Sequence, residues 1–309
     1  MILSVGEALI DMVPVPYNND VVYLPRAGGS PYNVAIALGR LGADVSFLGR
    51  VSTDPFGQLL REVLSASGVS LDYVVDTEDV TFLAMVQVVS KNKPHFTFYQ
   101  KCGGAYFLKE EDLPPQLTKV DILHFGSISL LIEPGASAIT HLVRREKNQR
   151  LISFDPNVRP MLIEDRQNYL ARLGEWVNYS DVVKVSREDL EWLYPGRSLD
   201  TIAHEWLHQG PSLVIITLGE EGAIAFTPRN VVQVPAPRVD VVDTVGAGDA
   251  FTAALLFALQ RDGYPSAAAL EELSKEKLTE ILRFAVRVGS LTCTRAGAEP
   301  PWRHELGLE

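Results

Sequence analysis

Short runs of β-branched and aliphatic residues alternate with amphipathic stretches along most of the chain. The runs Ile2–Val5, Val45–Val51, Val120–Phe125, Leu151–Phe154, Val182–Val185 and Leu213–Thr217 read as strands. Several are apolar at consecutive positions, the pattern of strands covered by helices on both faces. Helical spacing recurs at Tyr32–Leu41, Phe56–Ser67, Pro134–Arg145, Leu199–Gln209 and Leu278–Thr292, and an apolar helix runs from about Ala250 to Gln260. Gly42, Gly68 and Gly210 stand where helices would end, at C-cap positions. Such alternation predicts an α/β fold, a mainly parallel sheet with right-handed crossovers.

Two segments break the alternation. Met12–Leu24 reads as two short strands around the turn Asn18-Asn19-Asp20. Phe82–Val89 and His95–Gln100 flank Ser90-Lys91-Asn92-Lys93-Pro94, a hairpin signal. Four strands with one apolar face each predict a small second sheet, formed by about residues 12–25 and 81–101. Too small to be stable alone, it would pack as a lid on the main body or against a second subunit. Val13, Val15, Phe82 and Phe96 supply apolar surface for such pairing. No repeat or linker divides the chain, so residues 1–309 are expected to form a single domain.

Composition narrows the classes. The chain has 309 residues with 28 Lys+Arg against 39 Asp+Glu, a formal net charge of −11, which argues against nucleic acid as a partner. A hydrophobic content of 46% supports a packed core rather than disorder. Cys102 and Cys293 lack CxxC spacing, so neither a disulfide framework nor a Cys-rich zinc site is expected. The opening MILSVGEALIDM carries Glu7 and Asp11 within its apolar run and does not read as a signal peptide. No apolar run approaches the ~18 residues of a membrane span. A soluble cytoplasmic protein without membrane partners is expected.

The chemistry concentrates in three glycine-bearing segments. Val242-Asp243-Thr244-Val245-Gly246-Ala247-Gly248-Asp249 leads into the apolar helix. Small residues there leave the first helical N–H groups bare at the positive end of the macrodipole, an anion site built without basic side chains. An Asp in that first turn is placed to take a proton from an attacking hydroxyl; the plainer alternative is a helix-start Asp after a loop. Gly28-Gly29-Ser30-Pro31-Tyr32-Asn33 enters a second helix, either as a site of close backbone approach or as a simple turn. Thr217-Leu218-Gly219-Glu220-Glu221-Gly222 follows an apolar strand, where open α/β sheets hold ligands, although a hairpin turn explains it equally. The P-loop pattern GxxxxGK[ST], a GxGxxG after a strand and the protein-kinase signatures HRD and DFG are absent. His204-Glu205-Trp206-Leu207-His208 matches HExxH, but it sits on a connecting helix whose Ile202, Trp206 and Leu207 form a packing stripe.

Together these segments resemble the ribokinase-like (PfkB) family of sugar kinases. The resemblance spans Gly6 to Trp302 and rests chiefly on Gly28-Gly29-Ser30-Pro31-Tyr32-Asn33-Val34-Ala35 and Asp243-Thr244-Val245-Gly246-Ala247-Gly248-Asp249. It implies a doubly wound α/β domain, a β-sheet lid and ATP-dependent phosphorylation of a sugar hydroxyl. Asp249 would be the catalytic base and the amides of Gly246, Ala247 and Gly248 its anion hole. Asp11, Gly28, Gly29 and Asn33 would contact the sugar. Thr217, Gly219, Gly222 and Gly248, with Lys184, would hold ATP.

Three departures qualify the resemblance. Ser186-Arg187-Glu188-Asp189 stands where many members have Asn-x-x-Glu, so Asp189 or Glu188 would order the waters of Mg2+. Asp243, Val245 and Gly297 match a monovalent-cation loop, which makes K+ a possible cofactor, but Pro301 stands where a Ser often helps. Tyr99-Gln100-Lys101 resembles a fructokinase lid stretch with Lys in place of Arg, so Tyr99 and Lys101 are sugar contacts by resemblance only.

Within the family, Gly6-Glu7-Ala8-Leu9-Ile10-Asp11 and Asp155-Pro156-Asn157-Val158-Arg159-Pro160 resemble fructokinases. Asn157 would then touch the sugar, and Arg159 would face the transferred phosphate or, more plainly, form a surface ion pair. The expected reaction is phosphorylation of fructose at its primary C6 hydroxyl. A 2-keto-3-deoxygluconate kinase, ribokinase-type specificity and a non-catalytic sugar or nucleotide sensor are the alternatives. A homodimer through the lid is the expected partner arrangement.

Overall fold

The structure, a computed structural model, describes residues 1–18, 20–90, 93–99 and 107–308. In chain order its elements are β1 (Ile2–Val5), β2 (Leu9–Tyr17), β3 (Asp20–Gly28), α1 (Ser30–Arg40), β4 (Val45–Ser52), α2 (Pro55–Ala66), β5 (Val74–Thr77), β6 (Leu83–Ser90) and β7 (Lys93–Tyr99). There follow β8 (Ile122–Gly126), α3 (Gly135–Glu146), β9 (Leu151–Asp155), α4 (Arg166–Tyr179), β10 (Val182–Ser186), α5 (Arg187–Leu193), α6 (Leu199–Gln209) and β11 (Leu213–Thr217). The last are β12 (Ala223–Phe226), β13 (Val231–Val234), α7 (Ala247–Arg261), α8 (Ala267–Glu271) and α9 (Lys275–Thr292).

Among the described residues the large sheet has nine strands in the order β13-β12-β11-β10-β9-β8-β1-β4-β5, parallel except for the antiparallel β11–β12–β13 edge. Successive residues of each strand bury into opposite layers. Ile2, Val45, Leu151, Val182 and Leu213 pack under α1, α7 and α9. Leu3, Leu48, Ile152, Val183 and Val214 pack on the other face with α3, α4 and α6. This two-sided burial is why the strands read as unbroken apolar runs.

Chain order runs outward from β1 to β4 and β5, then returns beside β1 with β8 and continues through β9 to β11. The switch point therefore lies between β1 and β8, and open α/β sheets bind ligands outside the strand ends there. The face under α1 and α7 turns polar toward these ends. Ser4, His124 and Ser153 lie side by side in register, and Lys184 follows on β10. Ser4 Oγ donates to the Pro31 carbonyl at 2.7 Å, and His124 Nδ1 lies 3.1 Å from Ser153 Oγ. Burial drives the His124 pKa down to about 4, with Asp155 opposing and Lys184 adding to the shift.

The four-stranded sheet has the order β3-β2-β6-β7. Its strands are longer than the pattern suggests, because β2 and β3 pair from Leu9↔Gly28 outward to Tyr17↔Asp20. Leu9, Phe82, Ala84, Phe107 and Ile128 bury together at its base, with Phe98 packed against them. Phe82 is thus used within the chain and does not supply a surface for pairing, whereas Tyr17, Val21, Tyr23 and Leu24 are exposed. The side chain of Phe96 lies outside the described residues.

Candidate active site

The carboxyl ends of β1 and β8, the start of α1 and the start of α7 enclose a cavity of about 280 Å³. Its lining includes Asp11, Gly29, Asn33, Asn157, Arg159, Lys184, Val245, Gly246, Gly248 and Asp249, together with Glu7, Ser30 and Phe98. Residues scattered over more than two hundred positions of sequence therefore meet at one place, Asp249 among them.

Asp249 sits in the first turn of α7 and is 7% exposed. Both carboxylate oxygens accept hydrogen bonds from α1. Ser30 Oγ donates to Oδ1 at 2.7 Å, and Asn33 Nδ2 donates to Oδ2 at 2.8 Å. Burial pushes the Asp249 carboxyl above its ordinary range, while these two hydrogen bonds and the Lys184 charge pull it back. With Nδ2 so engaged, Asn33 Oδ1 is buried without a partner. An unpartnered buried acceptor is costly, and one lining a cavity suits a ligand hydroxyl.

Gly246 is left-handed (φ 75°), and a Cβ there would stand 2.5 Å from Ala298 Cβ, so the turn into α7 needs glycine. The N–H of Ala247 closes a 3.3 Å turn to the Thr244 carbonyl, which leaves Gly246 and Gly248 as the less engaged donors of the expected anion hole. A Cβ on Gly248 would lie 3.0 Å from Lys184 Nζ, so the ammonium stands directly beside this helix start. Lys184 is buried and paired with Asp155 at 2.7 Å. Burial alone would depress its pKa, but Asp155, by charge and hydrogen bond, outweighs it and holds the ammonium above its ordinary value.

On the sugar side, Gly28 lies against the Asp11 carboxylate and Gly29 against the backbone of Glu7. Burial pushes the Asp11 carboxyl up to about 7, with Arg159 opposing and Asp249 reinforcing the shift. Arg159 is no surface ion pair. Its Nη1 folds back to the Asn157 carbonyl (3.0 Å), Asn157 Oδ1 (2.6 Å) and the Val158 carbonyl (3.1 Å), fixing the guanidinium at the cavity wall.

Other expected residues lie outside this cavity. Thr217 and Gly219 are at the neighbouring end of β11, and Gly222 closes the turn into β12. That turn is a hairpin and also a strand end next to β10, so both readings of the segment hold. Asp189, in the first turn of α5, has its carboxyl raised to about 6 by burial and Asp155, with Ser186, Lys184 and Arg159 opposing. Glu188 is exposed and does not line the cavity. Asp243 accepts from Val245 N at 3.1 Å and Gly297 N at 2.8 Å, holding the two expected cation-binding loops side by side.

Tyr99, expected by resemblance as a sugar contact, does not line this cavity. Phe98 lines the cavity, so Tyr99, one residue on along β7, points to the opposite face and is 64% exposed. Lys101 lies outside the described residues. The sequence reading also passed over Glu7, Ser30 and Asp155 as site residues. Asp155 had a usable signal, a carboxylate ending an otherwise apolar strand. The HExxH segment does not assemble. Glu205 pairs with Arg197, His208 Nδ1 bonds the His204 carbonyl, and the His204 ring packs edge-on against Phe226. Among the described residues no group of three or more metal-ligating side chains occurs, and no helix is long and apolar enough to cross a membrane.

A switch-point cavity with a buried carboxylate at a glycine-lined helix start, beside a lysine, defines a phosphoryl-transfer site of the sugar-kinase kind. The chain belongs to the pfkB family of carbohydrate kinases, whose model matches residues 1–305. A fructokinase from Rhizobium leguminosarum bv. trifolii is 39% identical over 279 residues, covering 90% of this chain and 85% of that protein. The crystal structure of a fructokinase from Xylella fastidiosa with bound ATP superposes with a TM-score of 0.88 at 32% identity, covering 96% of this chain and 93% of that one. A double mutant of fructokinase from Vibrio cholerae O395, with fructose, ADP and potassium ion bound, gives 0.84 at 30% identity, covering 96% and 93%.

Proposed function

We propose that the protein is an ATP-dependent fructokinase that phosphorylates the C6 hydroxyl of D-fructose in the cytoplasm. The observation that carries this reading is the buried Asp249 carboxylate, held by Ser30 and Asn33 between a polar cavity and the start of α7. Asp11, Gly28, Gly29, Asn33 and Asn157 hold the sugar on one side. The β11–β12 turn, with Thr217, Gly219 and Gly222, holds the nucleotide on the other.

In the transfer step Asp249 takes the hydroxyl proton as the sugar oxygen bonds to the γ-phosphorus, while the bond to the β,γ-bridging oxygen breaks and ADP leaves. The N–H groups of Gly246 and Gly248, with Lys184 and Arg159, meet the charge that builds on the phosphoryl oxygens.

The acidic residues fit a divalent ion. Burial and the neighbouring Asp155 make Asp189 costly to ionise, and a cation held there would relieve it. Mg2+ would be held there through water by Asp189, and it supplies charge neutralisation and alignment of the phosphates. K+ would be held by the carbonyls of Asp243, Val245 and Gly297, on loops that Asp243 already ties together.

The small sheet is the lid of a single kinase domain. Its inner face, with Phe98, covers the sugar and excludes water as the competing acceptor. Its outer face, on which Val21 and Tyr23 are exposed, pairs with a second copy of the chain, which sedimentation at graded concentrations tests directly.

An ATP-consumption assay with Mg2+ over fructose, ribose and 2-keto-3-deoxygluconate tests the reaction. The expected result is turnover fastest with fructose, giving fructose 6-phosphate by NMR. Preference for either other sugar would reassign the substrate. No turnover with any of them would contradict the kinase reading.

A further inference from the structure

Glu7 is a buried carboxylate for which transfer chemistry has no evident use. It is 3% exposed, and hydrogen-bond donors, not cations, oppose its burial. Its Oε1 accepts from Ser30 N at 3.1 Å; its Oε2 accepts from Ser129 N at 3.2 Å and from the Ser129 hydroxyl. An acidic group buried without a cation is expensive, so its retention between three segments calls for a role. Those segments are the end of β1, the start of α1 and the turn after β8. Ser30, the residue Glu7 grips by its backbone, does not spend its hydroxyl on its own helix. It donates across to Asp249 Oδ1 on α7 at 2.7 Å. The stalks of the small sheet leave from the same place, since β2 begins at Leu9 and β3 ends at Gly28.

We propose that Ser30, held in place by Glu7, is a positioning residue for Asp249, its hydroxyl keeping one carboxylate oxygen oriented and ionised for proton acceptance from the sugar. Glu7 fixes the Ser30 backbone, and Ser30 fixes the base. Hydrogen bonding to the ionised form opposes the effect of burial on Asp249. Lys184 from β10, Asp155 from β9, Asp11 from β2 and Asn33 from α1 also bear on Asp249. None is altered by a change at Ser30, so a shift on its removal belongs to the hydroxyl.

The inference rests on the kinase reading, and its test separates the two. The Asp249 carboxyl is titrated in the ligand-free protein by isotope-edited infrared spectroscopy, with Asp249→Asn identifying its band. In Ser30→Ala the midpoint should rise by about one pH unit. The acid limb of kcat/KM for fructose should move up equally. Ser30→Thr, which keeps the hydroxyl, should restore the midpoint.

Glu7→Gln should shift the midpoint in the parent and not in the Ser30→Ala background. Should Glu7→Gln not fold, Ser129→Ala, which frees Glu7 from its outer side, carries the same two expectations. A midpoint and limb unmoved by Ser30→Ala would overturn the proposal. An equal Glu7 effect in both backgrounds would overturn the action through Ser30. Absence of turnover would refute the kinase reading alone, because the titration needs no substrate.

Discussion

The charged groups around the cavity combine burial with specific partners. Lys184 and Asp155 are about 6% and 3% exposed and 2.7 Å apart, so each is tolerable only because of the other. Replacing Lys184 with Met leaves a buried carboxylate unpaired. Urea denaturation should show a loss of about 3–5 kcal/mol, and Asp155→Asn in the same chain should recover much of it. A loss below about 1 kcal/mol would mean that the pair is solvated. This partnership was hidden in the sequence, where the two residues are 29 positions apart on neighbouring strands. Asp249 was legible because its chemistry is local, a carboxylate two residues into a helix that glycine opens.

Elements were legible where their pattern was strong; α4, α5 and α8 were not, because α5 and α8 are short and the apolar stripe of α4 is sparse. α4 buries only Tyr169, Leu173, Trp176 and Val177, at helical spacing behind the Asp165 cap. The small sheet was legible from its hairpin signals, but its attachment was not, since that depends on tertiary hydrogen bonds. Asp54 caps α2 through Gly57 N at 2.7 Å and also receives Thr81 N (2.8 Å) and Thr81 Oγ1 (2.7 Å), just before β6. One side chain thus anchors a helix and a strand of the small sheet. Asp54→Ala should cost about 1 kcal/mol through the lost cap. It should also raise KM for fructose roughly threefold or more while kcat changes less, because the lid is less well placed before closure. An unchanged KM with lowered stability would confine Asp54 to capping.

At the scale of the molecule, the α/β class and the switch-point site followed from alternation of elements, whereas the sharing of Asp249 between α1 and α7 needed the packed structure. Convergence of Asp11, Asp189, Glu7 and Asp249 on one region has a cost that pH exposes. Their pKa values are raised by burial, to about 7 for Asp11 and about 6 for Asp189. The folded state therefore binds more protons than the unfolded one through this range, and stability falls as pH rises. Thermal midpoints of the ligand-free protein should increase from pH 8 to 6.5, less steeply toward the lower end, where protonation of His124 in the unfolded chain opposes the trend. Asp11→Asn should flatten that increase. Activity should run the other way, because the base must be ionised. The whole arrangement delivers a sugar and a phosphate to one carboxylate, so Asp249→Asn is its most direct test. The account predicts that kcat falls roughly 10²–10⁴-fold while calorimetry still detects fructose and ATP binding. Activity within about tenfold of the parent, with the sugar bound normally, would contradict Asp249 as the base.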